Sequence, residues 1–241
     1  MKLENKVTVI TGAGKGIGKA AAALFLKEGA KVVLVSRTKK DLDKIRSEWK
    51  NHKANFITVC CDVSKEVSVK KIVSETIKKF GTIDILINNA GFGIFANLVD
   101  SKLKDFDLMF NTNVRALYMI TKSFLPYMIK QKSGTIINIA SIAGKNGVAT
   151  GSIYSATKHA VMGLSRSLFF EVRKYNIRVA AICPGSVNTA FFNSKRGGSI
   201  GFAKQTALDA PSIAEACLIA ASLPENVTVH EIELRPTNPR Q

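Results

Sequence analysis

The sequence predicts an α/β fold: a single Rossmann-type, doubly wound domain whose seven-stranded parallel sheet is flanked by helices on both faces. Three observations carry the prediction. Seven short β-branched runs alternate with longer stretches of helical periodicity. The runs are nearly continuous in apolar residues, as strands covered on both faces are. The first run opens directly into a glycine-rich turn. With 241 residues, 46% of them hydrophobic and 22% charged, the chain can bury a core of its own, which excludes a disordered tail, a collagen-like repeat or a disulfide-stapled miniprotein. Residues 1–241 read as one domain.

The strands are expected at VTVIT (7–11), KVVLVS (31–36), NFITVC (55–60), DILIN (84–88), TIINIA (135–140), RVAAIC (178–183) and VTVHEIEL (227–234). Helices are expected at 16–28, 39–51, 64–80, 102–130, 153–175 and 211–222, each returning the next strand parallel to the last. The stretch 189–205 is Gly-rich, basic and aromatic, and reads as a mobile substrate loop before the last helix. The two longest helical stretches carry Phe106, Leu108, Met109, Phe110, Leu117, Phe124, Leu164, Leu168, Phe169 and Phe170, more apolar surface than one sheet face needs, which predicts a homodimer or homotetramer.

Thirty-five Lys and Arg against 18 Asp and Glu leave a net charge of +17, which favours anionic partners: nucleic acid, membrane headgroups, or phosphorylated cofactors and substrates. The basic stretch from Arg37 to Lys53 alternates with Asp41, Asp43 and Glu48 and holds one aromatic residue, Trp49, so it reads as a solvated helix face and not as a nucleic-acid surface. Lys2, Glu4 and Lys6 interrupt any leader-like apolar run, and no later stretch approaches the ~18 apolar residues of a membrane span. Cys60, Cys61, Cys183 and Cys217 show no framework spacing, which fits a reducing cytoplasm. His52, His159 and His230 lie far apart, and no metal site is expected.

The strongest local signal is Thr11-Gly12-Ala13-Gly14-Lys15-Gly16-Ile17-Gly18, between the first strand and the first helix. Glycines there permit a tight turn and let backbone N–H groups and a helix N-terminus face a pyrophosphate. Where an NAD site carries an acidic residue after the second strand, this chain has Ser36-Arg37. The missing carboxylate, with Lys15 and Arg37 added, favours a 2′-phosphate and hence NADP(H). Asp62, before Val63, has two readings: an acceptor for the adenine amino group, or a cap for the next helix. Tyr154 and Lys158 share one helix face, where an ammonium would lower a tyrosine pKa towards general acid/base use. Ser141 follows the fifth strand, at the carboxyl edge where open α/β sheets bind ligands. Asn113 lies inside a helical stretch, either kinking it around a water or simply facing solvent. Gly197-Gly198-Ser199-Ile200-Gly201 matches G-x-S-x-G, but no apolar strand precedes it, so a hydrolase elbow is not expected.

Together these residues resemble the short-chain dehydrogenase/reductase family, in its form with a T-G-x-x-x-G-x-G loop. The resemblance runs from residue 5 to about 190, through Thr11 to Gly18, Asp62-Val63, Asn88-Asn89-Ala90-Gly91, Asn113, Ser141, Tyr154, Lys158 and Pro184-Gly185-Ser186-Val187-Asn188-Thr189. It implies that Tyr154 is the acid/base, that Ser141 polarises the carbonyl, that Lys158 lowers the tyrosine pKa and holds the nicotinamide ribose, and that Asn113 holds a relay water. It places Asn89, Ala90 and Gly91 along the cofactor's floor, and Pro184, Gly185, Val187 and Thr189 near the nicotinamide. The ending Glu231 to Gln241, with Pro236 and Pro239, departs from the family's glycine-rich turn.

The function expected is NADPH-dependent reduction of a carbonyl, foremost a 3-oxoacyl thioester on acyl carrier protein, with small ketones, diketones or a pterin side-chain carbonyl as alternatives. A catalytically idle dinucleotide- or nucleic-acid-binding protein is the reading of another class. Phe92, Ile94, Phe95, Ile142, Val148, Phe191 and Phe192 are expected to border the carbonyl. Lys145, Lys195, Arg196 and Lys204 are expected to attract an acidic carrier or phosphorylated tail, with Lys130, Lys132, Arg173 and Lys174 extending that surface, unless they merely reflect a basic chain.

Overall fold

The computed structural model describes residues 1–189 and 207–237. Seven strands form one all-parallel sheet in the order β3-β2-β1-β4-β5-β6-β7. They are β1 (Val7–Thr11), β2 (Lys31–Ser36), β3 (Phe56–Cys60), β4 (Ile85–Asn88), β5 (Gly134–Ile139), β6 (Ile177–Pro184) and β7 (Glu231–Leu234). The apolar runs are continuous because both sheet faces are buried. Ile10, Val32, Leu34, Ile87 and Ile182 point to one side, under α1 (Gly16–Lys27), α2 (Lys39–Glu48) and α7 (Ala210–Ser222). Val9, Val33, Val35, Leu86 and Val179 point to the other, under α3 (Glu66–Phe80), α5 (Ala116–Gln131) and α6 (Ser152–Val172). The order reverses between β1 and β4, so the carboxyl ends of those strands open a crevice, the usual ligand position in such sheets.

Two expected elements are corrected. The expected helix 102–130 is divided: α4 (Leu103–Phe110) passes into a widened π segment, Asn111–Arg115, before α5 begins. Ala116 N donates to Asn111 O across this wider turn, which gives the helix one residue more than its α repeat needs. The last strand is shorter than expected, since Val227 N donates to Pro224 O in a turn and only Glu231–Leu234 joins the sheet.

Of the ten apolar residues assigned to a subunit contact, Met109, Leu117, Phe124 and Leu168 are buried inside the chain. Leu103, Phe106 and Tyr118 remain exposed on α4 and α5, and Phe170 on α6. Among the described residues no helix is long and apolar enough to cross a membrane, and no cluster of His, Cys, Asp or Glu could hold a metal. The expected substrate loop, with Phe191, Phe192, Lys195, Arg196, Lys204 and the Gly197 to Gly201 stretch, lies outside the described residues except for Thr189.

Candidate active site

The glycine turn is built by close approach. Gly12 and Gly16 have φ of +65° and +55°, the left-handed region that disfavours any side chain. A Cβ on Gly12 would also come within 2.9 Å of Asn89 Nδ2. Thr11 Oγ1 accepts from the Asn89 and Ala90 backbone N–H groups, both at 3.0 Å, while Asn89 Nδ2 donates to Thr11 O at 2.9 Å and Gly12 O at 3.2 Å. The expected floor residue Asn89 therefore spends its amide on the turn itself, locking β1 to β4.

The turn forms one side of a cleft of about 340 Å³ along the carboxyl edge of the sheet. At one end it is lined by Gly14, Lys15, Ser36, Arg37, Asp62 and Val63, and at the other by Ser141, Tyr154, Lys158, Pro184, Gly185, Val187 and Thr189, with Ala90 and Gly91 between them. An elongated cleft with a glycine turn over a helix N-terminus suits a dinucleotide. Of the expected cofactor residues, only Gly18 is absent from this wall: its missing Cβ leaves room for Gly12 O, 2.5 Å from where that atom would stand.

At the adenosine end Lys15 and Arg37 are exposed and take part in no ion pair among the described residues. Asp41 lines the same end, a residue sequence reasoning did not place there, so the local charge is balanced and not simply positive. Asp62 Oδ1 accepts from Ser64 N at 3.0 Å and Ser64 Oγ at 2.8 Å, which fixes the turn before α3. Although partial burial opposes it, those hydrogen bonds and nearby Arg37 hold the Asp62 carboxyl below its ordinary range.

At the other end Tyr154, Ser141 and Lys158 converge, all 7–8% exposed. Ser141 extends β5 into a short turn, Ile142–Gly144, that its own Oγ caps by accepting from Ala143 N at 3.1 Å. Tyr154 and Lys158 project from the first turns of α6 towards it, and Gly144 permits the approach: a Cβ there would sit 2.8 Å from Lys158 O. Burial pushes the Tyr154 phenol up to about 12, against the opposing pull of a hydrogen bond with the Ser141 side chain. Burial lowers Lys158 to about 8. Lys158 Nζ lies over the Tyr154 ring, 5.8 Å from its centroid, and donates to Ile139 O at 2.8 Å.

Asn113 is 2% exposed, which removes the solvent-facing alternative. Its Oδ1 accepts from Phe92 N at 3.0 Å, and its Nδ2 donates to Phe92 O at 2.9 Å and Thr157 Oγ1 at 3.1 Å. The Asn113 side chain thus clamps the segment after β4 onto α6. A second buried polar chain was missed from sequence. Asn88 Nδ2 donates to Thr121 Oγ1 and Asn138 Oδ1, and Asn138 Nδ2 donates to Ser165 Oγ, joining α5, β4, β5 and α6. A polar residue inside the apolar run TIINIA was the available signal.

The expected substrate wall is present in part. Phe92, Ile94, Phe95, Val148 and Ile153 pack with Met109, Ala143 and Tyr154, and the Phe95 and Tyr154 rings lie 5.3 Å apart. The cations behave differently from expectation. Lys145 is paired with Glu231 at 3.2 Å and Glu233 at 3.0 Å. Lys130 and Lys132 sit at the carboxyl end of α5, and Arg173 and Lys174 just beyond α6, where β5 and β6 begin. That rim is a strand's length, roughly 20 Å, from Ser141, so within one chain they do not extend the site.

Comparison with known proteins agrees with this architecture. The sequence model described as short chain dehydrogenase matches residues 6–199. An uncharacterized oxidoreductase of Staphylococcus aureus is 36% identical over 234 residues, 97% of this chain and 98% of that one. Among solved structures, an alcohol dehydrogenase from the archaeon Thermococcus sibiricus, complexed with 5-hydroxy-NADP, superposes with a TM-score of 0.89 at 31% identity, covering 99% of both chains. A metagenomic short-chain oxidoreductase in complex with NADP gives 0.85 at 32% identity, covering 99% of this chain and all of the other.

Proposed function

The chain belongs to the short-chain dehydrogenase family and is an oxidoreductase, and from that premise we propose that it reduces an apolar ketone to the alcohol with NADPH. The observation that carries this is the buried meeting of Tyr154, Ser141 and Lys158 at one end of a dinucleotide-shaped cleft walled by Phe92, Phe95, Ile142 and Val148. When bound, the nicotinamide supplies the hydride. Gly12, Gly14, Gly16 and Ile17 would receive the pyrophosphate, Lys15, Ser36 and Arg37 the 2′-phosphate, Asp62 and Val63 the adenine, and Pro184, Gly185, Val187 and Thr189 the carboxamide end.

The proton that reduction requires is held by Tyr154. A phenol at about 12 keeps its proton at neutral pH, the state required to give it to a carbonyl oxygen gaining negative charge. Ser141 Oγ stands beside Tyr154 to hold that oxygen, and the apolar wall excludes water from it. Lys158 keeps its ammonium at the inner side of the pair, positioned by Ile139 O, ready to meet ribose hydroxyls. NADP over NAD is supported by Arg37 and Lys15 and by the NADP-type ligands of the two solved relatives.

Within the ketone class, a 3-oxoacyl thioester is the second reading, since the apolar wall would take an acyl chain. Its carrier-bound form has less support, because Lys145 is neutralised and Lys130, Lys132, Arg173 and Lys174 face away. The proposal includes a single domain over 1–241 with a substrate loop at 189–205, a reducing compartment for the free cysteines, and a homo-oligomer using the apolar surface left on α4 and α5. The test is NADPH oxidation with a diketone, an untethered 3-oxoacyl thioester and its carrier-bound form, in wild type and Tyr154→Phe. Turnover in wild type, at least a hundredfold less in Tyr154→Phe, and equal NADPH affinity in both are expected; equal turnover in both overturns the assignment.

A further inference from the structure

The residues after Ser141 and the helix carrying Tyr154 are fastened to the same strand. Glu231 and Glu233 alternate with Ile232 along β7, so both carboxylates leave one face of the sheet, the face covered by α6, while Ile232 and Leu234 pack with the core under α7. Each carboxylate presents one oxygen to Lys145 and the other to an arginine. Glu231 Oε2 lies 3.2 Å from Lys145 Nζ, and Glu231 Oε1 accepts from Arg166 Nε and Nη2, both at 2.8 Å. Glu233 Oε2 lies 3.0 Å from Lys145 Nζ, and its Oε1 accepts from Arg235 Nε at 2.6 Å.

The positions of the cations give this cluster its meaning. Lys145 ends the turn that Ser141 caps, and Arg166 lies further along the helix that opens with Tyr154 and Lys158. Those two elements touch where Gly144 meets the Lys158 backbone, and the irregular stretch 145–151 joins them. The strand end also closes on the wall of the cleft: Gly185 N donates to Leu234 O at 2.8 Å, and Pro236 lies against the open side of Gly185. We infer that β7 is a clasp, and that Glu231 is a positioning residue which holds the Ser141 turn and the Tyr154 helix in one frame through Lys145 and Arg166.

The side chains of Glu231 and Lys145 are 23% and 31% exposed, open enough for salt to screen them and enclosed enough to be held in place. The clasp therefore makes catalysis, and not merely stability, depend on ionic strength. The inference uses the reductase reading only in taking Ser141 and Tyr154 as the reacting groups.

The experiment compares wild type with Glu231→Gln, Glu231→Asp and, as a control outside both catalytic elements, Arg235→Gln. Each is measured for kcat at saturating NADPH and ketone at low and high salt, for NADPH affinity, and for amide hydrogen exchange in residues 139–146. Glu231→Gln is expected to lower kcat by roughly three- to tenfold and leave NADPH affinity within about twofold. It should also remove the fall of kcat with salt that the clasp predicts for wild type, and speed exchange in 139–146. Glu231→Asp, which keeps the charge, should recover at least half of the lost kcat, and Arg235→Gln should match wild type. A lower denaturation midpoint in Glu231→Gln with kcat, its salt response and exchange all unchanged would make Glu231 purely structural and overturn the clasp. If wild type reduces no carbonyl, the reductase reading fails separately; faster exchange in 139–146 then still supports the clasp, and unchanged exchange overturns it.

Discussion

Raising the pH should stabilise the ligand-free protein relative to its Lys158→Met variant, and the gain should fall between about pH 8 and pH 10.5. Lys158 is 7% exposed, and its Nζ has one described hydrogen-bond partner, Ile139 O at 2.8 Å. Burial brings its pKa from the ordinary 10.5 down to about 8, although the nearby Cys183 thiol works in the opposite sense. The folded chain therefore releases this proton near pH 8 while the unfolded chain keeps it until about 10.5. Throughout that window the unfolded state binds more protons, so stability rises with pH. At roughly 1.36 kcal/mol per pH unit, the rise is worth about 3 kcal/mol. Wild type alone would conceal it. Tyr154, raised to about 12, the half-buried thiol of Cys61, raised to about 11, and the buried thiols of Cys183 and Cys217, raised to about 11 and 12, all ionise first in the unfolded chain and remove stability above their ordinary values. These groups are common to both proteins, so the readout is the difference between the two urea-unfolding free energies at pH 7, 8.5 and 10. A difference that stays flat within about 0.5 kcal/mol would refute the assignment of a desolvated ammonium to this position.

Arg37→Asp should weaken NADPH binding by ten- to a hundredfold and leave NADH nearly unchanged, because a charge-assisted contact with phosphate is worth about 1.5–3 kcal/mol; titration calorimetry with both nucleotides checks this, and an equal loss for both would move the 2′-phosphate elsewhere. Asn138→Ala should cost about 2–3 kcal/mol in urea unfolding, since it takes the acceptor from Asn88 Nδ2 and the donor from Ser165 Oγ in a dry interior. A loss below about 0.5 kcal/mol would mean that the chain of amides does not bind α6 to the sheet.

The sheet was legible because its physics is local and repetitive. Val32 and Leu34 face one layer and Val33 and Val35 the other, and a run apolar at every position admits few other readings. The glycine turn and the Tyr154–Lys158 pair were legible for a related reason: residues that act together there are near neighbours in the chain. What escaped is long-range. Lys145 looked like a free cation because its partners stand 86 and 88 residues later, in a segment whose short strand could not be phased from its sequence. Lys130 and Arg173 looked near the site because helical stretches say where a residue is along a helix and not which rim of the sheet that helix ends on. Asn113 kept two readings until Phe92 and Thr157, distant in sequence, were seen to hold both ends of its amide.

The widened turn at Asn111–Arg115 has a consequence for how the chain can vary in length. The helix on its N-terminal side presents Met109 to the cluster around Tyr154, and the helix on its C-terminal side presents Ile120, Phe124 and Met128 to the sheet. One extra residue sets the phase between these two duties. Removing or adding a single residue there would turn one half by about 100° against the other, unseating either the wall of the cleft or the core beneath it. Surface connections elsewhere can absorb insertions at small entropic cost. Between residues 103 and 131 the spacing itself is under constraint, so substitutions are the changes this stretch can accept and insertions or deletions are not.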